Sequence, residues 1–242
     1  MSNWIVEDQS TPLVIAHRGA SGDAPENTLV AFQLAEAQQA DGFEFDVHLS
    51  ADGVPVVIHD RKLERTTTGT GLVSSLTVSQ LKELDAGEGE SIPTLEEVFS
   101  TFGERMLYNI ELKGFYFHSN QLEQTVADLM RRHNLAHCVT VSSFSFLNMH
   151  RYRAVGDEAT LMGMIRYPSP QALSHYIFRG NVDHPHFSMV DVAYMDWAVN
   201  KKGMRVHVWT VNEPQEGKRL IELGVHGIMT DHPKRMREAL GL

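Results

Sequence analysis

The segment Gly42–Leu49, with the sequence GFEFDVHL, decides both the fold and much of the chemistry of this 242-residue chain. Side chains of a β-strand alternate between its two faces. Glu44 and Asp46 therefore point one way, and the bulky apolar residues between them point the other way. In a closed barrel, one face of each strand lines the interior and the other packs on helices. Because the apolar side chains suit the helix side, the segment predicts two carboxylates inside a barrel.

Two ionised carboxylates in a barrel interior would repel each other and lose their hydration. A divalent cation bound by Glu44 and Asp46 removes both problems, and we favour a metal site. The alternative is that one of the two carboxylates pairs with an arginine in a polar plug.

Short strand-like runs alternate with amphipathic helical stretches, such as Asn27–Ala40 and Leu122–Arg132, along the chain. This alternation implies parallel strand pairing, because crossovers of this length cannot be hairpins. Eight such units in 242 residues predict a single α/β domain, a (β/α)8 TIM barrel over residues 1–242, with an open doubly wound sheet as the alternative. The predicted strands are Leu13–Ala16, Gly42–Leu49, Met106–Leu112, Cys138–Ser142, Thr160–Met164, a weaker Gly180–His184, Arg205–Trp209 and Gly227–Thr230.

One long connection, from His59 to Pro93, interrupts this alternation. It contains a threonine- and glycine-rich stretch, 66–71, and a short helix-like run, Val78–Leu84. Connections of this length in a compact domain are usually functional or inserted subdomains. Because it follows the second strand, we expect an insertion at about residues 60–93 over the barrel mouth, where such folds keep their chemistry.

The strand predicted at Met106–Leu112 carries a second set of polar residues on one face. Asn109, Glu111 and Lys113 alternate with apolar residues there. Glu111 at the strand end completes a three-carboxylate site of the kind that Mg²⁺ or Ca²⁺ prefers. Lys113 beside it is suited to a phosphate oxygen. The alternative is a simple ion pair between Glu111 and Lys113 at the end of the strand.

Two histidines, His17 and His59, each follow a short apolar run. Phosphodiester cleavage needs one proton removed and one donated, and imidazole is suited to both steps near neutral pH. Arg18 offers a planar donor fork for phosphate. Trp209 is placed to form a wall for a substrate carbon skeleton. In each case a structural role, such as filling the barrel interior, is the alternative.

Composition excludes several classes of protein. A formal net charge of -10 gives no general attraction for nucleic acid or anionic lipid, so a phosphate-containing ligand needs local positive charge or a metal. No apolar run approaches the ~18 residues that span a bilayer. The stretch Met1–Thr11 has no leader or anchor pattern, and Cys138, the sole cysteine, has no disulfide partner. We expect a cytoplasmic protein without a membrane anchor.

Taken together, these segments resemble the glycerophosphodiester phosphodiesterase family, on the barrel shared with phosphatidylinositol-specific phospholipases C. Each motif is weak alone, but the ordered set covers nearly the whole chain. The motifs are His17-Arg18-Gly19, Pro25-Glu26-Asn27-Thr28, Glu44-Phe45-Asp46, Asp52-Gly53-Val54-Pro55-Val56-Val57-Ile58-His59-Asp60, Arg65-Thr66-Thr67, Ile92-Pro93-Thr94-Leu95, Ile110-Glu111-Leu112-Lys113, Trp209-Thr210-Val211-Asn212 and Gly227-Ile228-Met229-Thr230-Asp231-His232-Pro233.

The resemblance implies a role for each candidate residue. It implies one divalent cation, Mg²⁺ or Ca²⁺ with Mn²⁺ as a further candidate, and that the segment after His59 helps to cover a glycerol moiety. The residues that match the family are Glu44, Asp46 and Glu111 as metal ligands, His17 and His59 as the acid/base pair, Arg18 and Lys113 as phosphate contacts, and Trp209 as an aromatic near the substrate.

The resemblance also implies an activity, the hydrolysis of glycerophosphodiesters to sn-glycerol 3-phosphate and an alcohol. Small substrates such as glycerophosphocholine and glycerophosphoethanolamine fit a chain without an evident membrane-binding segment. One alternative is a phospholipase D-like or lysophospholipid-cleaving enzyme on the same barrel. Another is a non-catalytic phosphate-ligand binder, which should have lost one of the histidines or carboxylates.

Two places depart from the family pattern. His226 stands where the family often has Asp, but it precedes the last strand, so we expect little effect on chemistry. The stretch Arg166–Pro185 matches poorly, and His184 and His186 flank a proline. This pair has a spacing that can bind a metal, but we expect solvated histidines in a loop.

Overall fold

The computed structural model describes residues 4, 11–114, 119–168 and 180–242. The N-terminal segment, for which no leader or anchor is predicted, lies outside these residues apart from Trp4 and Thr11. Within the described residues, no helix combines the length and the apolar character needed to cross a bilayer. A cytoplasmic location stays a prediction.

Within the described part of the chain, nine strands form one sheet, and eight of them run parallel and close into a barrel. The sheet closes because β1 pairs with both β2 and β9, which confirms the (β/α)8 barrel and excludes an open sheet. The weakest predicted strand, near Gly180–His184, is present as β7. The strands are β1 Leu13–His17, β2 Gly42–Leu49, β3 Pro55–Val57, β4 Leu107–Leu112, β5 Val139–Ser143, β6 Leu161–Arg166, β7 Val182–Pro185, β8 Arg205–Val208 and β9 Gly227–Thr230.

Helices cover the outside of the barrel, and local sequence signals fix several of their starts. Thr94 forms a capping box with Glu97, so α3 begins at Leu95. Proline occupies the first turn of α7 and of α8. The helices are α1 Leu29–Ala37, α2 Val78–Lys82, α3 Leu95–Phe102, α4 Gln121–Arg132, α5 Phe146–Val155, α6 Val192–Met195, α7 Pro214–Glu222 and α8 Pro233–Leu240, with a π-helical turn, Asp196–Lys201, after α6.

Strand β2 has the two faces that its sequence predicts. Phe43 and Phe45 pack against Phe32 of α1, with ring centroids 5.1 and 5.5 Å apart. All three rings are fully buried in the main hydrophobic core. The alternation of the strand therefore turns Glu44 and Asp46 inward, where both are buried.

Strand β3 is not among the eight strands that the sequence predicts. It pairs antiparallel with the end of β2, so it forms a hairpin outside the parallel barrel and leads directly to His59. The chain between β3 and α3 has a small hydrophobic core of its own, formed by Val56, Ile58, Leu63, Val73, Leu81, Ala86 and Ile92. The division of residues 1–242 into one domain with an insertion at about 60–93 stays a prediction.

The prediction of solvated loop histidines around Pro185 is wrong for His184. This residue lies on β7 and is fully buried. Its ring fits because a nearby residue of the adjacent strand β6 is Gly163, where an added Cβ would lie only 2.6 Å from His184 Cδ2. His186, just after the strand, is half-buried. His226 precedes β9 as predicted, and its Nδ1 accepts a hydrogen bond from the Val206 amide at 3.1 Å.

Candidate active site

A pocket of about 120 Å³ opens at the carboxyl ends of the barrel strands. It brings together six of the eight candidate residues, and the other two, Asp46 and Lys113, contact residues of its lining. Phe144, Asn109 and His184 also line it and were not proposed as site residues. The lining residues are His17, Arg18, Glu44, His59, Asn109, Glu111, Phe144, Ile165, His184, Trp209 and Met229.

Three buried carboxylates form the acidic part of the site. One oxygen from each of Glu44, Asp46 and Glu111 lies within 4.8 Å of the others. Glu44 and Asp46 come from alternate positions of β2, and Glu111 is the register partner of Asp46 on β4. Glu44 Oε2 is buried without a hydrogen-bond partner among the described residues.

The pKa values of the three carboxyl groups are shifted in different directions. Burial, together with the neighbouring carboxylates, raises the pKa of Glu44 well above its usual range and that of Glu111 to about 7. Burial opposes ionisation of Asp46 as well, but Lys113 and Arg18 outweigh it and hold the pKa of that carboxyl below its usual range. Burial and mutual repulsion oppose the charged forms of Glu44 and Glu111, and a divalent cation such as Mg²⁺ or Ca²⁺, which prefers hard oxygen donors, would stabilise the ionised cluster.

The two basic residues adjoin the same carboxylates. Lys113 Nζ lies 2.7 Å from Glu111 Oε1 and 3.1 Å from Asp46 Oδ1. Arg18 Nε lies 3.4 Å from Asp46 Oδ2. The Glu111–Lys113 ion pair, considered from the sequence as an alternative to a functional site, is therefore present as one contact within the cluster.

The chain turns sharply after β1 to place Arg18. Arg18 has a φ of 57°, a left-handed conformation that a non-glycine residue rarely adopts. The next residue, Gly19, has a φ of 81°, and a Cβ there would lie 2.7 Å from the backbone of Ala31. Backbone hydrogen bonds fix the turn, from the Arg18 amide to Glu44 O at 2.7 Å and from the Asn27 amide to Arg18 O at 3.0 Å.

The two candidate proton-transfer histidines, His17 and His59, each have an aspartate on Nδ1. His17 Nδ1 is 2.6 Å from Asp231 Oδ1, and His59 Nδ1 is 2.5 Å from Asp60 Oδ1. A carboxylate at Nδ1 fixes the ring and its tautomer and leaves Nε2 for other contacts. His17 Nε2 lies 3.8 Å from Glu44 Oε2, which places this nitrogen at the acidic cluster.

Both aspartates remain ionised at neutral pH. Burial of Asp231 opposes ionisation, but its hydrogen bonds with His17, Asn212 and Ser21 lower its pKa to about 2. A hydrogen bond from Arg65, and then the one with His59, lower the pKa of Asp60 to about 2. Each carboxylate is therefore able to stabilise a protonated imidazole.

Arg65, in the segment after β3, connects the two sides of the pocket. Its Nε donates to Asp60 Oδ2 at 2.6 Å, and its two terminal nitrogens donate to the two oxygens of Glu26 at 2.8 and 2.7 Å. Glu26 also accepts from Arg18 Nη1 at 3.0 Å. No role for Asp60, Glu26 or Arg65 is predicted from the sequence, although all three lie in motifs that match the family.

Trp209 forms one wall of the pocket. Its Nε1 donates to the backbone oxygen of His184 at 2.8 Å, which fixes the indole. Its ring centroid lies 5.5 Å from that of Phe144 and 6.2 Å from that of Tyr167. These two rings follow β5 and β6, and no periodicity in the sequence marks them.

Comparisons with known proteins agree on one family. A family model described as the glycerophosphoryl diester phosphodiesterase family matches residues 17–235. The glycerophosphodiester phosphodiesterase of Caldanaerobacter subterraneus subsp. tengcongensis is 35% identical over 234 residues, covering 93% of this chain and 96% of the relative. That of Bacillus altitudinis is 34% identical over 235 residues, covering 92% and 95%.

A solved structure extends the likeness to the fold. It is that of an Oleispira antarctica phosphodiesterase in complex with its product, sn-glycerol-3-phosphate. It is similar to this chain with a TM-score of 0.84 and 32% identity, and the match covers 96% of this chain and 97% of the other.

Proposed function

Because the chain belongs to the glycerophosphoryl diester phosphodiesterase family, and is an enzyme of that class, we propose that it hydrolyses glycerophosphodiesters to sn-glycerol 3-phosphate and an alcohol. One observation carries the proposal. One pocket at the carboxyl ends of the barrel strands brings together three buried carboxylates, two histidines that each contact an aspartate, and the basic side chains of Arg18 and Lys113. This end of the barrel is where such folds keep their active sites.

Glu44, Asp46 and Glu111 would hold the cation, for which we propose Mg²⁺ or Ca²⁺, with Mn²⁺ as a further candidate. The fit rests on three converging carboxylates and on the buried Glu44 oxygen that has no hydrogen-bond partner among the described residues. A bound divalent cation supplies Lewis-acid polarisation of a phosphoryl oxygen and a template for the substrate.

The two histidines divide the proton transfers. One of His17 and His59 removes the proton from the attacking oxygen, and the other donates a proton to the oxygen of the departing alcohol. The aspartate on each Nδ1 orients the ring and stabilises its protonated form, the task of the carboxylate in a catalytic triad. The attacking oxygen belongs either to water or to the glycerol 2-hydroxyl, which would give a cyclic phosphate that water then opens.

Arg18 and Lys113 neutralise negative charge on the phosphoryl oxygens. Each is already anchored by the buried carboxylates, so neither needs to reorganise when the substrate binds. Arg18 adds a planar fork that suits a tetrahedral phosphate, and Lys113 adds a compact charge. Trp209 would cover the carbon skeleton of the substrate.

The proposed function is tested by the release of sn-glycerol 3-phosphate from glycerophosphocholine. The enzyme is assayed with a chelator and then with Mg²⁺, Ca²⁺ or Mn²⁺ restored. We expect release to stop with the chelator and to return with at least one metal. A folded protein that releases nothing with any metal would refute the proposal.

Two further substrates separate the remaining alternatives. Lysophosphatidylcholine shares the phosphocholine group but carries an acyl chain, so faster turnover of it would favour the lysophospholipid-cleaving alternative. An analogue of glycerophosphocholine without the 2-hydroxyl distinguishes attack by water from attack by the glycerol 2-hydroxyl. It would remain a substrate for attack by water and would be inert if the 2-hydroxyl attacks.

A further inference from the structure

Exposed aromatic rings gather at one side of the pocket mouth. Among the described residues, five large hydrophobic side chains are exposed, and two of them, Phe144 and Tyr167, directly follow neighbouring barrel strands. Phe144 is 39% exposed and Tyr167 is 52% exposed. Both rings lie next to Trp209, at 5.5 and 6.2 Å between centroids. Exposed apolar surface that continues into a pocket usually marks a recognition site.

The group is held in place by contacts that do not involve a ligand. The hydrogen bond from Trp209 Nε1 to His184 O fixes the indole. Phe144 meets it nearly edge to face, with an interplanar angle of 88°. His186 packs on both Trp209 and Tyr167, at 5.4 and 5.3 Å between centroids. The rings therefore form a preorganised wall, which lowers the entropic cost of binding a ligand.

This aromatic wall begins where the phosphate would be held. Phe144 and Trp209 both line the pocket. Lys113 Nζ, a proposed phosphate contact, lies 5.8 Å from the centroid of the Phe144 ring. In a phosphodiester of an amino alcohol, only one oxygen and two carbons separate the phosphorus from the nitrogen. A cationic nitrogen on the leaving alcohol therefore falls within reach of the wall.

The chemistry of the wall favours one kind of cation. A trimethylammonium group donates no hydrogen bonds and is attracted to the faces of aromatic rings. A primary ammonium group has three N–H donors that need acceptors. The chain neighbours of Phe144, Tyr167 and Trp209 include no carboxylate, and the carboxylates that line the same pocket, Glu44 and Glu111, are the proposed metal ligands.

We propose that Phe144, Tyr167 and Trp209 form a subsite for a quaternary ammonium alcohol, so that the enzyme prefers choline esters among small glycerophosphodiesters. The inference rests on the proposed function and names the leaving group that it favours. It also assigns a role to two residues, Phe144 and Tyr167, that are not required for proton transfer or for metal binding.

The test compares kcat/KM for three esters of sn-glycerol 3-phosphate. These are the choline ester, the ethanolamine ester and the 3,3-dimethylbutyl ester, which has the shape of choline without its charge. We expect the choline ester to exceed each of the others by about tenfold, in line with two exposed cation–π contacts. We expect Phe144→Leu/Tyr167→Leu, which leaves Trp209 as the remaining ring of the subsite, to reduce both ratios to roughly two- to threefold, the share of one exposed cation–π contact. Tyr167→Phe, which keeps the ring, is the matched control and should keep the preference.

Equal turnover of the dimethylbutyl and choline esters would overturn the proposal, because the wall would then recognise shape rather than charge. Ratios that the double substitution leaves unchanged would overturn it as well. Calorimetric binding of the same esters to His59→Ala measures the preference without turnover. If the wild type hydrolyses none of the esters, the proposed function fails. Equal affinities of His59→Ala for the three esters would separately refute the subsite.

Discussion

Arg65 lies outside the pocket, yet we expect its removal to impair catalysis more than stability. Its guanidinium donates to Asp60, which holds His59, and to Glu26, which holds Arg18. The substitution Arg65→Met keeps most of the aliphatic side chain and removes all of these hydrogen bonds. Asp60 and Glu26, the carboxylates that orient a proposed proton-transfer residue and a proposed phosphate contact, then lose their common anchor.

The structure gives the size of the two effects. The Arg65 side chain is 45% exposed, and ion pairs at such positions contribute only about 0–1 kcal/mol to the free energy of unfolding. A proton-transfer residue contributes ~10²–10⁴ in rate, and a misoriented one keeps part of this. We therefore expect kcat to fall by roughly 10- to 100-fold in Arg65→Met, which is part of that contribution, with a much smaller change in KM.

The assay is steady-state hydrolysis of glycerophosphocholine by wild type, Arg65→Met, His59→Ala and the double variant. If Arg65 acts partly through His59, the loss in the double variant is smaller than the product of the two single losses. Arg61→Met is the matched control. It removes the same charge from an exposed residue of the same segment, and no ion pair of Arg61 is found among the described residues. If Arg65 had only a structural role, Arg65→Met would lower the unfolding temperature, and the loss of kcat in the double variant would equal the product of the two single losses. That result would refute the reasoning.

Two further predictions concern the histidines and their aspartates. His17→Ala and His59→Ala should each lower kcat by ~10²–10⁴ while the far-UV circular dichroism stays unchanged, and normal turnover in both would contradict the proposed proton transfers. The pKa of Asp231 is depressed from 3.8 to about 2 in the folded protein, so its contribution to stability is present above pH 4 and is lost as the pH falls towards 2. The fall in unfolding temperature between pH 4 and pH 2 should therefore be smaller in Asp231→Asn than in wild type, and identical profiles would contradict this assignment.

Strand periodicity was sufficient to predict the centre of the site. Alternation on β2 separates Glu44 and Asp46 from the phenylalanines, and the rings pack on Phe32 as expected. The same rule applied to β4 places Glu111 beside Lys113. In the parallel register of β2 and β4, Asp46 then lies opposite Glu111. These inferences succeeded because each depends only on neighbouring residues and on the closed barrel.

Contacts between distant loops were not predictable in this way. Arg65 and Glu26 are 39 residues apart, and their pairing depends on how the segment after β3 lies against the turn after β1. The burial of His184 depends on a glycine in the adjacent strand, whereas the local sequence His-Pro-His is typical of a loop. Phe144 and Tyr167 follow two different strands and meet Trp209 from a third position in the barrel. Only the three-dimensional structure brings these residues together.

The central claim is that Glu44, Asp46 and Glu111 bind one divalent cation in the pocket that the two histidines share. Isothermal titration of Mg²⁺ and Ca²⁺ into the metal-free protein tests it most directly, with Glu44→Gln/Glu111→Gln as the comparison. The amides keep the shape of the two side chains and remove their charge. We expect one bound cation per chain in the wild type and none in the variant. Equal binding by both proteins, with the variant correctly folded, would contradict the account.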